Sequence, residues 1–175
     1  MPTWVDPTTW NITTGHVASQ TDLQIVKDDL TFLGTKPAAR AYNLVAISIA
    51  NNTPTALTFD SERFDTDTIH DTVTNTSRLT CKTAGLYLII GNIEYASNAA
   101  GVRDTQIRLN AVRTLVGDVR TSSNVGATSV SLSTLYQLAV NDYLELQATQ
   151  NSGGALNVTA ISTYSPEFAM IWQSN

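Results

Sequence analysis

The sequence predicts an all-β protein, an antiparallel sandwich or jelly roll, preceded by an irregular N-terminal tail and one short α-helix. From residue 37 onward, apolar stretches recur about every ten to fifteen residues, separated by turn residues such as Asn141-Asp142 and Ser152-Gly153-Gly154. No helical pattern lies between them, and parallel strands would need longer crossovers. Only 14% of the residues are charged, and the frequent Thr, Ser and Asn suit strands and turns.

The length of the chain limits the number of domains, and its charge limits the classes of partner. With 175 residues the chain can build one sizeable core, so we predict an N-terminal segment over residues 1–36 and one β-domain over residues 37–175. The net charge is −5 and no stripe of Lys and Arg could neutralise phosphates, so nucleic acid is not an expected partner. No apolar run is long enough for a membrane span, and no secretory leader is present, so we expect assembly in a cytoplasm.

The first fifteen residues have no period and predict an irregular tail that carries Trp4 and Trp10. A segment this short cannot build a core of its own, so both indole rings need a surface to lie against. Two interpretations stay open, namely that the tryptophans fold back on the domain or that they dock the protein on a partner.

A helix is predicted over residues 21–33. Thr21 and Gln24 have the spacing of a capping box, Gly34 can end the helix in the left-handed conformation, and Pro37 prevents its continuation. The apolar stripe must pack either on its own domain or on the equivalent helices of partner subunits, because a dozen helical residues are marginal alone in water. Its members recur at intervals of three and four: Leu23, Val26, Leu30 and Leu33.

Ten strands are predicted in the β-domain. Most alternate apolar and polar residues and should bury one side, but Leu86–Ile90 and Phe168–Trp172 are apolar on both faces. In a single sandwich, the second cover of those two strands has to come from another chain. The predicted strands are 42–50, 57–59, 78–81, 85–97, 104–110, 114–121, 128–138, 142–150, 156–163 and 167–173.

Short motifs in a fixed order resemble the tumour-necrosis-factor and complement-head superfamily of jelly rolls. They are Phe64-Asp65, then TCKTAGLY at 80–87, then IRLN at 107–110, then LAVND at 138–142. Gly85, Tyr87, Asn110 and Asp142 fit family positions, whereas Ala111 stands where the family has Gly. The resemblance implies a homotrimer that buries an aromatic-rich sheet edge. Candidates for this contact, with the ordinary core as the alternative, are Tyr87, Tyr95, Tyr136, Phe168 and Trp172.

The N-terminal segment is similar to that of small virion proteins of tailed bacteriophages, through Trp10, Gly15, Val17, Leu23, Ile25, Leu30, Phe32 and Leu33. In such proteins this segment attaches to the particle and a jelly-roll head projects. The residues expected to attach the chain to the major capsid protein or another virion protein are Trp4, Trp10, Val17, Leu23, Val26, Leu30, Phe32 and Leu33.

No residue pattern predicts catalysis, and we expect neither an enzyme nor a cofactor. The acidic stretch with Asp60, Asp65 and Asp67 offers oxygens for calcium, but it lacks the glycine and closing glutamate of an EF-hand loop, so a solvated acidic loop is favoured. His70-Asp71 has no nucleophile elbow nearby. The single cysteine, Cys81, excludes an intrachain disulfide and is expected to be buried on a strand.

Three functions follow from these expectations. The first is a trimeric decoration or head-fibre protein of a virion, which stabilises the shell or displays the head. The second is a tail-fibre or receptor-binding tip whose loops at 98–103, 122–128 and 150–156 contact a host-surface glycan or protein. The third is a free bacterial lectin-like or signalling domain, which the missing secretory leader disfavours.

Overall fold

A computed structural model describes residues 18–123 and 126–175. The chain divides into two compact units, Met1–Lys36 and Pro37–Asn175. The predictions made for Trp4, Trp10 and Val17 lie outside the described residues.

The helix α1 spans Gln20–Gly34 and agrees with the prediction to within one residue at each end. Its capping box is Ser19 with Asp22, whose Oδ2 accepts a hydrogen bond from the Ser19 N–H at 2.7 Å, and the Thr21–Gln24 assignment was wrong. Both pairs have the same spacing, but Asp22 places a carboxylate at the positive end of the helix dipole. At the other end Thr35 is the cap and donates its N–H to the Thr31 carbonyl at 2.9 Å, so the predicted left-handed Gly34 was also wrong.

In the second unit, the described residues form an antiparallel jelly roll, and the predicted fold class is confirmed. The strands are β1 (Ala38–Tyr42), β2 (Ile47–Ile49), β3 (Thr55–Ala56), β4 (Ser61–Asp65), β5 (Arg78–Thr80), β6 (Gly85–Tyr95), β7 (Val102–Leu109), β8 (Arg113–Thr121), β9 (Thr128–Leu138), β10 (Tyr143–Gln150), β11 (Leu156–Val158) and β12 (Glu167–Ser174).

Several strand predictions needed correction: the predicted strand 156–163 ends at Val158, and β3 was not predicted. Strands β1 and β4 were missed because one is rich in Ala and the other in charge, which weakens the apolar alternation. Leu57 and Phe59 are buried, but residues 57–59 are not a strand, since the N–H groups of these two residues donate to carbonyls of two different segments, at Leu146 and Thr76. The predicted strand 42–50 is interrupted between β1 and β2.

The strands pair into two sheets. The larger sheet has the order β2-β11-β6-β12-β1-β4, and β9 also pairs with β6. The smaller sheet has the order β3-β10-β7-β8, and β5 also pairs with β10. Strand β6 is central, because it pairs with β9 from Gly85↔Leu138 to Tyr95↔Thr128 and with β12 on its opposite edge.

The core lies between the two sheets. Every second residue of β6 and β10 is buried, and a Cβ added at Gly91 of β6 would lie 2.7 Å from Leu146 Cδ1 of β10. Phe59 stacks on Phe168 with ring centroids 6.0 Å apart. Alternation along β6, β9, β10 and β12 thus sends one set of side chains into the core and the intervening set outward.

Candidate functional site

The outward side of the larger sheet is apolar at its centre. We call this surface the outer apolar face. Strand register places Leu135, Leu88 and Ile171 side by side across β9, β6 and β12. In the next row Ile90 lies beside Ala169. The face consists of Phe64, Leu86, Leu88, Ile90, Leu135, Ala169 and Ile171.

Within the single chain this face is left partly open. Leu135 is 56% exposed and Phe64 is 42% exposed, while Leu86, Leu88, Ile90 and Ile171 are half-buried. Large contiguous apolar patches are uncommon on monomeric proteins and mark interaction surfaces. The outer apolar face therefore has the chemistry of a subunit interface.

One buried acid borders this face. Glu167 is 2% exposed, and its carboxylate accepts hydrogen bonds from Arg40 Nε at 2.7 Å and from Arg63 Nη2 at 2.9 Å. The Arg63 guanidinium also lies over the Tyr42 ring, 4.0 Å from its centroid. Two cations on one anion leave this rim with a net positive charge. The neighbouring cavity measures about 240 Å³ and is lined by Arg40, Phe64, Ile90, Asn92, Glu167, Ala169 and Ile171.

The aromatic residues predicted for the core or the subunit contact lie mainly in the chain's own core. Tyr87, Tyr95 and Phe168 are fully buried, and Trp172 is 4% exposed. Tyr136 is half-buried, and its hydroxyl accepts a hydrogen bond from Arg113 Nη1 at 2.9 Å. The surface open to a neighbour is formed instead by the aliphatic residues that alternate with them. The sequence signal for this surface was that β6 and β12 are apolar on both faces, and the outward residues are the neighbours of the aromatic ones.

The acidic stretch is held by hydrogen bonds within the chain. Asp65 accepts from the backbone N–H groups of Asp67 and His70 at 2.9 and 2.8 Å, and Asp67 accepts from Thr83 Oγ1 at 2.8 Å. Asp60 accepts from Ser61 Oγ at 2.8 Å. Burial raises the pKa of the Asp67 carboxyl, with a smaller contribution from the charge of Asp65. Across residues 18–123 and 126–175, no group of three or more His, Cys, Asp or Glu side chains is placed to hold a metal ion.

Two of the motif turns bind each other. Asn110 Nδ2 donates to Asp142 Oδ1 at 2.8 Å, and Asn110 Oδ1 accepts from the Tyr143 N–H at 2.9 Å. Both Asn110 and Ala111 have left-handed backbone, with φ of 51° and 56°, as does Asn141 at 73°. The motif residues Asn110 and Asp142 therefore hold their two turns against each other.

The described residues of the loops proposed to contact a receptor form one connected end of the domain, and residues 124 and 125 of the loop at 122–128 lie outside the described residues. The Ser122 N–H donates to the Gly101 carbonyl at 3.0 Å, and the Val102 N–H donates to Asn151 Oδ1 at 2.6 Å. Arg103 is fully buried beneath them and donates to the Asn98 carbonyl at 2.9 Å. Burial lowers the pKa of this guanidinium. Side chains and backbone thus fix these loops relative to one another.

This loop end is opposite the place where the chain enters the domain. Ala38 begins β1 opposite Ile171, which in turn lies opposite Leu88, three residues from the start of β6. The loop end follows Tyr95, the last residue of β6. At about 3.3 Å per residue, the two ends of β6 are roughly 33 Å apart.

The predicted attachment residues of α1 fall on two faces. Leu23 is 62% exposed, Leu30 65%, Leu33 46% and Val26 36%. Phe32, in contrast, is fully buried. No helix in the part of the chain that the structure describes has both the length and the apolar character that a membrane span requires.

Comparisons with solved structures give the fold but no closer relationship. No family model and no curated protein matches the sequence. The globular domain of zebrafish complement 1qA protein has a TM-score of 0.58 at 13% identity, covering 80% of this chain and 100% of that one. Murine APRIL has 0.61 at 10%, covering 78% and 98%, and Eiger TNF from S. frugiperda has 0.60 at 16%, covering 80% and 95%. The chain thus has the jelly-roll fold of the tumour-necrosis-factor and complement heads.

Proposed function

We propose that the protein is a homotrimeric structural component of a virion, a decoration or head-fibre protein attached through its N-terminal segment. The observation that carries the trimer is the outer apolar face. A jelly roll with both sheet faces apolar along β6 needs a second cover, and a neighbouring copy supplies it. A ring of three repeats the same contact in each subunit and leaves no open end.

The virion role is supported by the pattern of the N-terminal segment and by the geometry of the head. The chain enters the domain at one end of β6, and the loops lie at the other. Attachment through the entry end would leave the loop end of the jelly roll on the side away from the particle. The expected partners are the major capsid protein or another virion protein, and the expected location is the virion assembled in the host cytoplasm.

The attachment is tested by deleting residues 1–36. The second compact unit begins at Pro37, so the shortened protein is expected to stay folded and trimeric but to lose binding to purified particles. The matched control is the full chain with Gly154→Ala, a change in open space on the head. Undiminished particle binding by the shortened protein would refute attachment through the N-terminal segment.

A second candidate is a receptor-binding tip that recognises a host-surface glycan or protein. The observation that favours it is the loop end, where hydrogen bonds between loops give a rigid surface facing away from the chain entry. Electron microscopy of purified particles separates the two candidates. Many copies on the capsid, with no binding on a glycan array, supports decoration, and a few copies at the tail tip supports recognition.

A further inference from the structure

The helix α1 has two separate faces, and the apolar stripe that its sequence predicts to be buried is the exposed one. Asp29 and Phe32 are its buried residues. An amphipathic helix within one chain normally buries its leucine stripe. Here Leu23 and Leu30 each keep more than half of their surface exposed, and Leu33 nearly half. This arrangement leaves a helix face that a further chain can cover.

The spacing of this stripe is that of a coiled-coil seam. Leu23 and Leu30 occupy a positions of a heptad, and Val26 and Leu33 occupy d positions. Away from the seam, Gln24 Nε2 donates to Asp28 Oδ1 at 2.8 Å across positions b and f, and the buried Phe32 lies at position c.

The three-fold symmetry of the proposed trimer also fixes the direction of its helices. In a three-fold assembly the helices must run parallel, because each one leads into its own head.

We propose that the α1 helices of three copies pack through Leu23, Val26, Leu30 and Leu33 as a short parallel coiled coil. This inference rests on the trimer of the proposed function. Leucine at both a positions, with the β-branched Val26 at the first d position, departs from the β-branched a and leucine d pattern that favours two strands. A helix of 15 residues is marginal alone, but three heads joined to their helices hold the stripes at high effective concentration. Particle attachment then falls to the tail and to the other surfaces of the N-terminal segment.

Cysteine cross-linking of the full chain tests this packing. Leu30→Cys places a thiol in an a position of the seam, and Gln24→Cys places one on the outer polar side. The natural Cys81 is fully buried and does not interfere. After oxidation, a trimer with one thiol per seam position can join two of its three chains, so about two thirds of Leu30→Cys chains are expected as linked dimers, with few for Gln24→Cys.

The outcomes separate the helix inference from the proposed function. If Leu30→Cys keeps the mass of three chains but does not cross-link above the Gln24→Cys control, the coiled coil is overturned and the trimer stands. If the unmodified chain has the mass of one chain, the trimer fails and the coiled coil fails with it. Circular dichroism of both variants verifies that the helix content is retained, so a negative result is not a folding defect.

Discussion

The sharpest consequence of the outer apolar face is that one charge at its centre should dissociate the protein without unfolding it. Leu88 lies between Leu135 and Ile171 in the middle of the face and is only half-buried in the single chain. Leu88→Glu therefore leaves the charge in contact with water in a monomer. In the proposed trimer, the same carboxylate would be covered by a neighbouring copy and would lose its contact with water.

The size of the effect follows from the cost of a buried unpaired charge. Leaving one uncompensated inside a protein costs about 3–5 kcal/mol, and the lower value suits a site at an interface. About 3 kcal/mol per contact weakens each contact roughly a hundredfold. Three contacts in a ring lose this together, so the trimer should not survive at micromolar concentration.

Light scattering during gel filtration measures this loss directly. Leu88→Glu is expected to run with the mass of one chain, 18.9 kDa, while its circular dichroism stays that of the native fold. The control is Gln147→Glu, which adds the same charge to the half-buried outer side of β10 and should leave the trimer intact. A trimeric Leu88→Glu would refute the role of this face, as would dissociation of both variants.

Four further predictions concern stability. Glu167→Gln removes the carboxylate that two guanidiniums share and should cost about 2 kcal/mol in urea unfolding. A Cβ at Gly85, where φ is +152°, would lie 2.2 Å from the indole nitrogen of Trp172. Gly85→Ala should therefore lower the free energy of unfolding by roughly 2 kcal/mol or more through overpacking, whereas the Cβ of Gly154→Ala meets nothing within 4 Å. Ala111→Gly relieves a left-handed alanine and should raise stability by about 1 kcal/mol. Burial raises the pKa of Cys81 to about 11, so stability should fall as pH rises from 9 towards 11, and less steeply in Cys81→Ala.

Each of these predictions has a contradicting result. An unchanged unfolding midpoint in Glu167→Gln would mean that the cluster adds nothing to folding. Equal stability of the Gly85→Ala and Gly154→Ala variants would contradict the close approach to the indole. A lower free energy of unfolding in Ala111→Gly would show that the greater conformational entropy of glycine in the unfolded chain outweighs the relief of backbone strain in the turn. Identical alkaline profiles for the native chain and Cys81→Ala would remove Cys81 as a cause.

Much of the fold could be predicted from the sequence because its local signals agree. The helix has a periodic stripe and a capping pair, and strands such as β7, β9 and β10 alternate clearly. Strand β4 was missed because its charged residues resemble a loop, although Arg63 within it is fixed by Glu167 across 104 residues of sequence. Pairing over such a distance leaves no local trace.

The apolar character of the candidate site could be predicted from the sequence, but the side of the sheet that it occupies could not. Apolar runs on β6 and β12 indicated a second cover, yet a run apolar on both faces does not reveal which side is outward. Large aromatics were named as candidates for either the core or the subunit contact, and the register puts Tyr87 and Phe168 inward and Leu88 and Ile171 outward. Likewise, the periodicity of α1 correctly predicted a helix with an apolar stripe. The exposure of that stripe could not be predicted, because it depends on which residues of the folded chain pack against the helix.

We propose that copies of this chain associate in threes through the outer apolar face. Sedimentation equilibrium of the unmodified full chain over a wide concentration range measures the association state directly. The proposed trimer predicts a single species with three times the chain mass of 18.9 kDa, reduced to one chain mass by Leu88→Glu. A native chain that stays at one chain mass throughout, or that forms a stable dimer, would contradict the claim.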